Sequence, residues 1–232
     1  MKKILLYGAL LALGTLLSSC NNEELTSSKH QFKIATLPIG TNLYDEVGEL
    51  HNVLFDLYSS PANSPETIES IATEVNQLIS NYTNLPQTTI PIDSLFSNKL
   101  EQFIHYPLQS LDTIVSQIGI STLTKSKLLN LIEITSGATT TDINEALLEV
   151  VAFEEQILSD TILSIGEKEI ILTVSSIAKY SLYDNGDRKD KDWDLSVGNI
   201  VATIYGAVNS SQDALLFALT SKIYLNNLRA GQ

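Results

Sequence analysis

Cysteine is almost missing from this chain: of 232 residues, only Cys20 carries a thiol. That excludes an internal disulfide framework and any cysteine-built zinc or iron–sulfur centre. Basic residues are also scarce, 14 Lys and Arg against 27 Asp and Glu, for a formal charge of −13. A nucleic-acid partner is not expected, because a phosphate backbone is held by a Lys/Arg surface. Glycine (11) and proline (6) are too few for collagen-like or low-complexity chain. Charged residues make up 18%, against the roughly 25% usual for globular domains. The 44% apolar content, rich in Leu and Ile, argues against disorder.

Catalytic signatures are missing too. No phosphate-binding G-x-x-x-x-G-K-[ST], dinucleotide G-x-G-x-x-G, nucleophile elbow G-x-S-x-G or zinc-binding H-E-x-x-H occurs. The three histidines are scattered: His30 precedes the helical region, His51 sits beside an apolar stripe, and His105 stands at a helix end. Each is expected on the surface or in a cap. The acid pairs Glu145/Glu149 and Glu154/Glu155 have helical or adjacent spacing. They could serve as glycosidase carboxylates, but solvated helix faces explain them more simply. No cofactor and no enzymatic activity are expected.

What is present begins at the N-terminus. Lys2 and Lys3 precede an uncharged apolar run, Ile4–Leu17, shorter than the roughly 20 residues of a spanning helix. It ends in Leu17-Ser18-Ser19-Cys20. This sequence resembles the lipobox of bacterial lipoproteins, a leucine and two small residues before a cysteine. The resemblance implies cleavage after residue 19 and a diacylglycerol on the Cys20 thiol, with palmitate-type acylation of the new amine. Two or more acyl chains hold a protein stably on a bilayer. Asn21-Asn22-Glu23-Glu24 follows, and acidic residues at this place resemble the surface-export signal of Bacteroidota lipoproteins, with Glu23 and Glu24 as its acids. The implied location is the outer membrane, lipid-anchored and exposed at the cell surface, with the periplasmic face as the alternative. Loss of Lys2 and Lys3 leaves 12 basic residues against 27 acidic ones, a formal −15. Residues 20–40, rich in Asn, Ser, Thr and Glu, read as a flexible tether, which as coil spans roughly 25 Å.

From residue 41 the apolar period is helical. Leu43, Val47, Leu50, Leu54 and Leu57 step along one face, with Thr41 as the expected cap. Ser64-Pro65-Glu66 has the form of a helix start before Ile68, Ile71, Val75, Leu78, Ile79 and Tyr82. Asp93 or Ser94 opens a third helix, which Pro107 must break. Asp142/Glu145 and Ser164/Glu167 have capping-box spacing. Two final helices are expected over Leu195–Val208 and Ala214–Asn227. The expectation is all-α: an irregular bundle of about seven to nine helices in one domain, 41–232, after a signal peptide at 1–19. Residues 165–183, a charged start followed by a Ser/Ala/Ile/Tyr run, also resemble surface lipoproteins of the Bacteroidota.

Two features stand out. Asp184–Asp194 holds five aspartates and suggests a hard-cation site, with Asp190, Asp192 and Asp194 as candidate ligands. The register fails, since position six is Leu195 and position twelve Val201, so a solvated turn is expected instead. The other is a ladder of small residues four apart: Gly198, Ala202, Gly206, Ser210, Ala214 and Ala218. Such spacing lets helix backbones approach closely. A crossing inside the core is expected. The functional expectation is a non-catalytic, lipid-anchored surface protein with a protein partner that the residues do not identify. The alternative is a membrane-active, toxin-like or pore-forming effector using residues 195–220.

Overall fold

In the computed structural model, residues 41–58, 67–85, 88–118, 120–137, 143–186 and 197–230 are described. They form α1 (Asp45–Leu57), α2 (Ile68–Tyr82), α3 (Ser94–His105), α4 (Pro107–Ile118), α5 (Thr122–Gly137), α6 (Ile143–Ser159), α7 (Ile165–Gly186), α8 (Val197–Asn209) and α9 (Ser211–Ala230). Among the described residues the protein is all-α, with nine helices and no strand.

Several boundaries follow from local chemistry. The Asp93 carboxylate accepts from the amides of Leu95 (2.9 Å) and Phe96 (3.2 Å), which fixes the start of α3. Pro107 takes the first position of α4, where its missing N–H costs nothing. At the start of α7 the capping box closes both ways. The Ser164 amide donates to Glu167 Oε2 (2.9 Å), and the Glu167 amide donates to Ser164 Oγ (3.3 Å).

Other boundaries differ from expectation. Helix α1 starts at Asp45, not after Thr41, because the preceding chain makes a turn: the Asp45 amide bonds Asn42 O at 3.2 Å, and the Tyr44 amide bonds Asn42 Oδ1 at 2.9 Å. Leu43 consequently points to solvent, 83% exposed, and Leu57 is 40% exposed. Helix α2 starts at Ile68 under Thr67, whose hydroxyl accepts from the Ser70 amide. The Ser64–Glu66 start lies outside the described residues, as does Asp142. Helix α7 continues past Tyr183 to Gly186, so Asp184, Asn185 and Gly186 are helical backbone rather than the expected turn.

Helix α9 is the hub. Residues 212–223 are all buried, and α9 packs against α8, α2, α1, α7 and α3. Phe217 anchors an aromatic cluster with Phe96 (centroids 4.6 Å apart), Tyr205 (5.0 Å) and Phe103 (6.3 Å). Helix α7 is the second interior helix, buried from Ile171 through Lys179 and packed on α1, α6 and α8.

Candidate functional site

The small-residue ladder divides between two contacts. Gly198 faces α3: a Cβ there would lie 2.8 Å from the Ile104 Cα and 3.0 Å from the Phe103 carbonyl oxygen. Gly206 faces the first turn of α9, where a Cβ would lie 2.3 Å from the Asp213 carbonyl oxygen. Only Ser210 separates α8 from α9, and its hydroxyl caps α9 by accepting from the Asp213 amide at 3.0 Å. Ala202, Ala214 and Ala218 are fully buried. Residues 209–213 thus form a tight corner between the two helices, and the small residues permit it.

Among the described residues, a dense polar cluster lies elsewhere, where α1 meets α6 and α7. Lys179 of α7 is fully buried. Its Nζ lies 2.7 Å from Glu154 Oε2 of α6 and 2.6 Å from Asp45 Oδ1 of α1. Glu154, also fully buried, accepts at Oε1 from Asn42 Nδ2 (2.7 Å) and Ser175 Oγ (2.9 Å). This corrects the expectation that Glu154 lies on a solvated face; Glu145, Glu149 and Glu155 do. Glu154 sits one position from Phe153 and three from Ile157, on the packed side of α6.

Polar contacts continue along the α1–α7 seam. Asn42 Nδ2 also donates to the Leu172 carbonyl (2.9 Å), the Gly48 amide to Ser176 Oγ (3.0 Å), and Asn52 Nδ2 to the Tyr180 carbonyl (2.8 Å). A Cβ at Gly48 would lie 2.4 Å from Ser176 Oγ and 2.6 Å from the Tyr180 ring, so glycine sets how closely the two helices approach. His51 is fully buried rather than at the surface, its Nδ1 3.0 Å from Asn52 Oδ1. His105 is exposed, as expected. A second buried lysine, Lys222 of α9, places its Nζ 4.0 Å from the Phe55 ring centroid on α1.

The electrostatics follow from burial. Desolvation raises the Glu154 pKa, outweighing the Lys179 ammonium that opposes it. The Tyr180 hydroxyl is pushed up to about 12, first by burial and then by the charges of Asp45, Glu49 and Glu154. One ammonium faces two carboxylates, so a single added proton neutralises the group. Among the described residues no three His, Cys, Asp or Glu side chains are placed to hold a metal ion. Here the two carboxylates converge on an ammonium.

A second polar feature is a cleft of about 390 Å³ between Ser164 with the first turns of α7, through Ile170, and Ala207–Ser210. Glu167 lines it, its carboxyl brought down to about 2 by hydrogen bonds, first from the Ser121 hydroxyl, then from the Ser164 amide and hydroxyl and from Thr124. Nearby, Asp160 accepts from the amides of Ile162 (2.8 Å) and Leu163 (3.1 Å), which hold its carboxyl below the ordinary value. That turn presents Ile162 and Ile165 to solvent, 80% and 85% exposed.

Cys20, Glu23, Glu24, Asp190, Asp192 and Asp194 lie outside the described residues. The Asn42, Gly48, Glu154 and Lys179 cluster escaped the sequence reading, which treats polar side chains as the solvent face of a helix. The one signal available was the breadth of the apolar and small-residue run in α7, too wide for a one-sided helix. Comparison with protein-family models, curated protein sequences and solved structures finds no match to this chain.

Proposed function

We propose that this is a non-catalytic, lipid-anchored helical protein of the outer surface of a diderm bacterium, acting through contact with another protein. The observation that carries this reading is Leu17-Ser18-Ser19-Cys20, with the only cysteine of the chain at the position a lipobox requires. Glu23 and Glu24 directly after it support display at the surface. Ile162 and Ile165, held out on a turn that Asp160 braces, support a role in protein contact.

The competing reading gives residues 195–220 to a membrane. Those residues include the α8–α9 corner, where Gly206 touches backbone, and that packing would have to open first. No helix among the described residues is long and apolar enough to cross a membrane.

The test is Cys20→Ala. We expect loss of palmitate labelling and of the protein from the membrane fraction, with the helical domain still folded. Unchanged labelling of the variant would remove the basis of the proposal.

A further inference from the structure

A serine or threonine hydroxyl buried in a helix has a partner close at hand, a carbonyl one turn back in the same helix. Several interior hydroxyls of this protein use it. Ser175 Oγ donates to the Leu172 carbonyl (3.1 Å), Thr203 Oγ1 to the Asn199 carbonyl (2.8 Å) and Ser221 Oγ to the Ala218 carbonyl (3.0 Å). Ser181 of α7 departs from this pattern. It is 2% exposed, and its Oγ has no hydrogen-bond partner among the described residues. Such a group is disfavoured, and most buried hydroxyls in folded proteins are matched. Ser181 does border a cavity. With Asn199 and Thr203 of α8 it lines a small space between α7 and α8, walled by Val174, Ile177 and Ile200. All six residues are buried. The space measures about 10 Å³, room for one water-sized molecule and not two.

We propose that this cavity is a binding site for a single water molecule that bridges α7 and α8. The chemistry of the walls selects the occupant. No titratable side chain lines the space, so an ion of either sign would lack a counter-charge. A hard cation would also need about six oxygen ligands. An apolar guest would leave the Ser181 hydroxyl unmatched, and the volume is too small for one. Water meets both demands. Thr203 has given its proton to the Asn199 carbonyl, so its Oγ1 can only accept. Asn199 Oδ1 already accepts from the Ser221 hydroxyl. The water accordingly accepts from Ser181 Oγ and donates to Thr203 Oγ1, which falls within the roughly two to four bonds that hold a buried water. This bridge ties α7 to α8 at a place where the surrounding wall is apolar. Removal of the Ser181 hydroxyl has opposite consequences in a wet and a dry cavity. In the wet one, alanine strips the water of its donor and the bridge is lost. In the dry one, alanine removes an unmatched polar group, and the fold gains.

Oxygen-17 magnetic relaxation dispersion, which counts long-lived internal waters, tests this on the full-length protein. Wild type, Ser181→Ala and Thr203→Val are compared, each with its helical circular-dichroism spectrum as a check on folding. The expected result is one long-lived water fewer in each variant than in wild type. Ser181→Ala should also have a lower urea midpoint than wild type. The same number of long-lived waters in all three chains would overturn the proposal. A higher urea midpoint for Ser181→Ala would overturn it too, because that is the behaviour of a dry, unmatched hydroxyl. Should either variant fail to fold, a crystal structure of the wild-type protein decides: ordered water between Ser181 Oγ and Thr203 Oγ1 supports the site, and a dry cavity overturns it. These readouts are independent of Cys20, so failure of the anchor reading and failure of this one are distinct results.

Discussion

Helices α8 and α9 meet mainly through small and aromatic residues, with one buried hydrogen bond from the Ser221 hydroxyl to Asn199 Oδ1, whereas α1 meets α7 through asparagine, serine, aspartate and lysine. In both seams a glycine sets the approach: Gly206 against the Asp213 carbonyl, Gly48 against Ser176. The difference lies in what fills the space beside it. Around Gly206 the nearest atoms are the backbone of Asp213 and Ala214, while the buried alanines and Phe217 beside them gain by dispersion and by removal of surface from water. Around Gly48 the neighbours are hydrogen-bonding groups. Each must find a partner, because a buried polar group left without one costs about 1–3 kcal/mol. Away from the Asn199–Ser221 hydrogen bond, the first seam is limited by volume more than by chemistry. The second tolerates neither.

The sharpest way to break the comparison is to remove the ammonium. Lys179→Met should lower the unfolding free energy by about 3–5 kcal/mol, because it leaves Glu154 buried without its cation. Adding Glu154→Leu to the same chain should restore part of that loss, since the stranded carboxylate is then gone. Urea titration of both chains checks this. No recovery in the double variant would mean that the cost comes from lost packing of the lysine stem.

The apolar seam should break by volume. Gly206→Leu should cost about 1–3 kcal/mol by overpacking, since any side chain there meets backbone rather than a movable side chain. At this chain length each kcal/mol lowers Tm by about 2–4 °C. A thermal melt unchanged by the substitution, together with dye release from vesicles by the wild-type protein and not by the variant, would favour the membrane reading of residues 195–220.

A smaller effect belongs to the capping box. Ser164→Ala should cost about 0.5–2 kcal/mol at neutral pH. The Glu167 pKa is depressed to about 2 in the folded protein, so its contribution is present above the ordinary carboxylate value and is lost as pH falls toward 2. The gap between wild type and Ser164→Ala should therefore narrow in acid. A constant gap would show that the Glu167 half of the box contributes nothing.

These seams were not equally legible in the sequence. The caps at Asp93 and Ser164, the break at Pro107 and the close packing of Gly198 and Gly206 follow from local rules of spacing and backbone chemistry. Glu154, Lys179 and His51 do not, because an apolar stripe marks only one of the ways a helix face becomes interior. A polar residue is buried when partners from distant chain positions arrive to satisfy it. Asn42 and Glu154 are 112 residues apart, and Gly48 and Ser176 are 128. No window of helical length contains both members of such a pair. Thr41 and Leu43 show the opposite case: leucine fits the helical period, but Asn42 holds the chain in a turn and the helix begins one turn later.

The sign of one pH dependence tests the polar seam most directly. Burial raises the Glu154 pKa above its unfolded value, so the folded state holds the proton more tightly. Stability linked to this group is then fully present below the unfolded value and is lost as pH rises through the folded one. Glu154→Gln lacks that titration, and other groups largely cancel between the two chains. Unfolding free energies measured by urea at a series of pH values from about 4.5 upward should show wild type losing stability relative to Glu154→Gln as pH increases, whatever the constant offset between them. A wild type that gains on the variant with rising pH would mean that the Lys179 charge outweighs burial, and would contradict the picture of a seam that favours neutral groups.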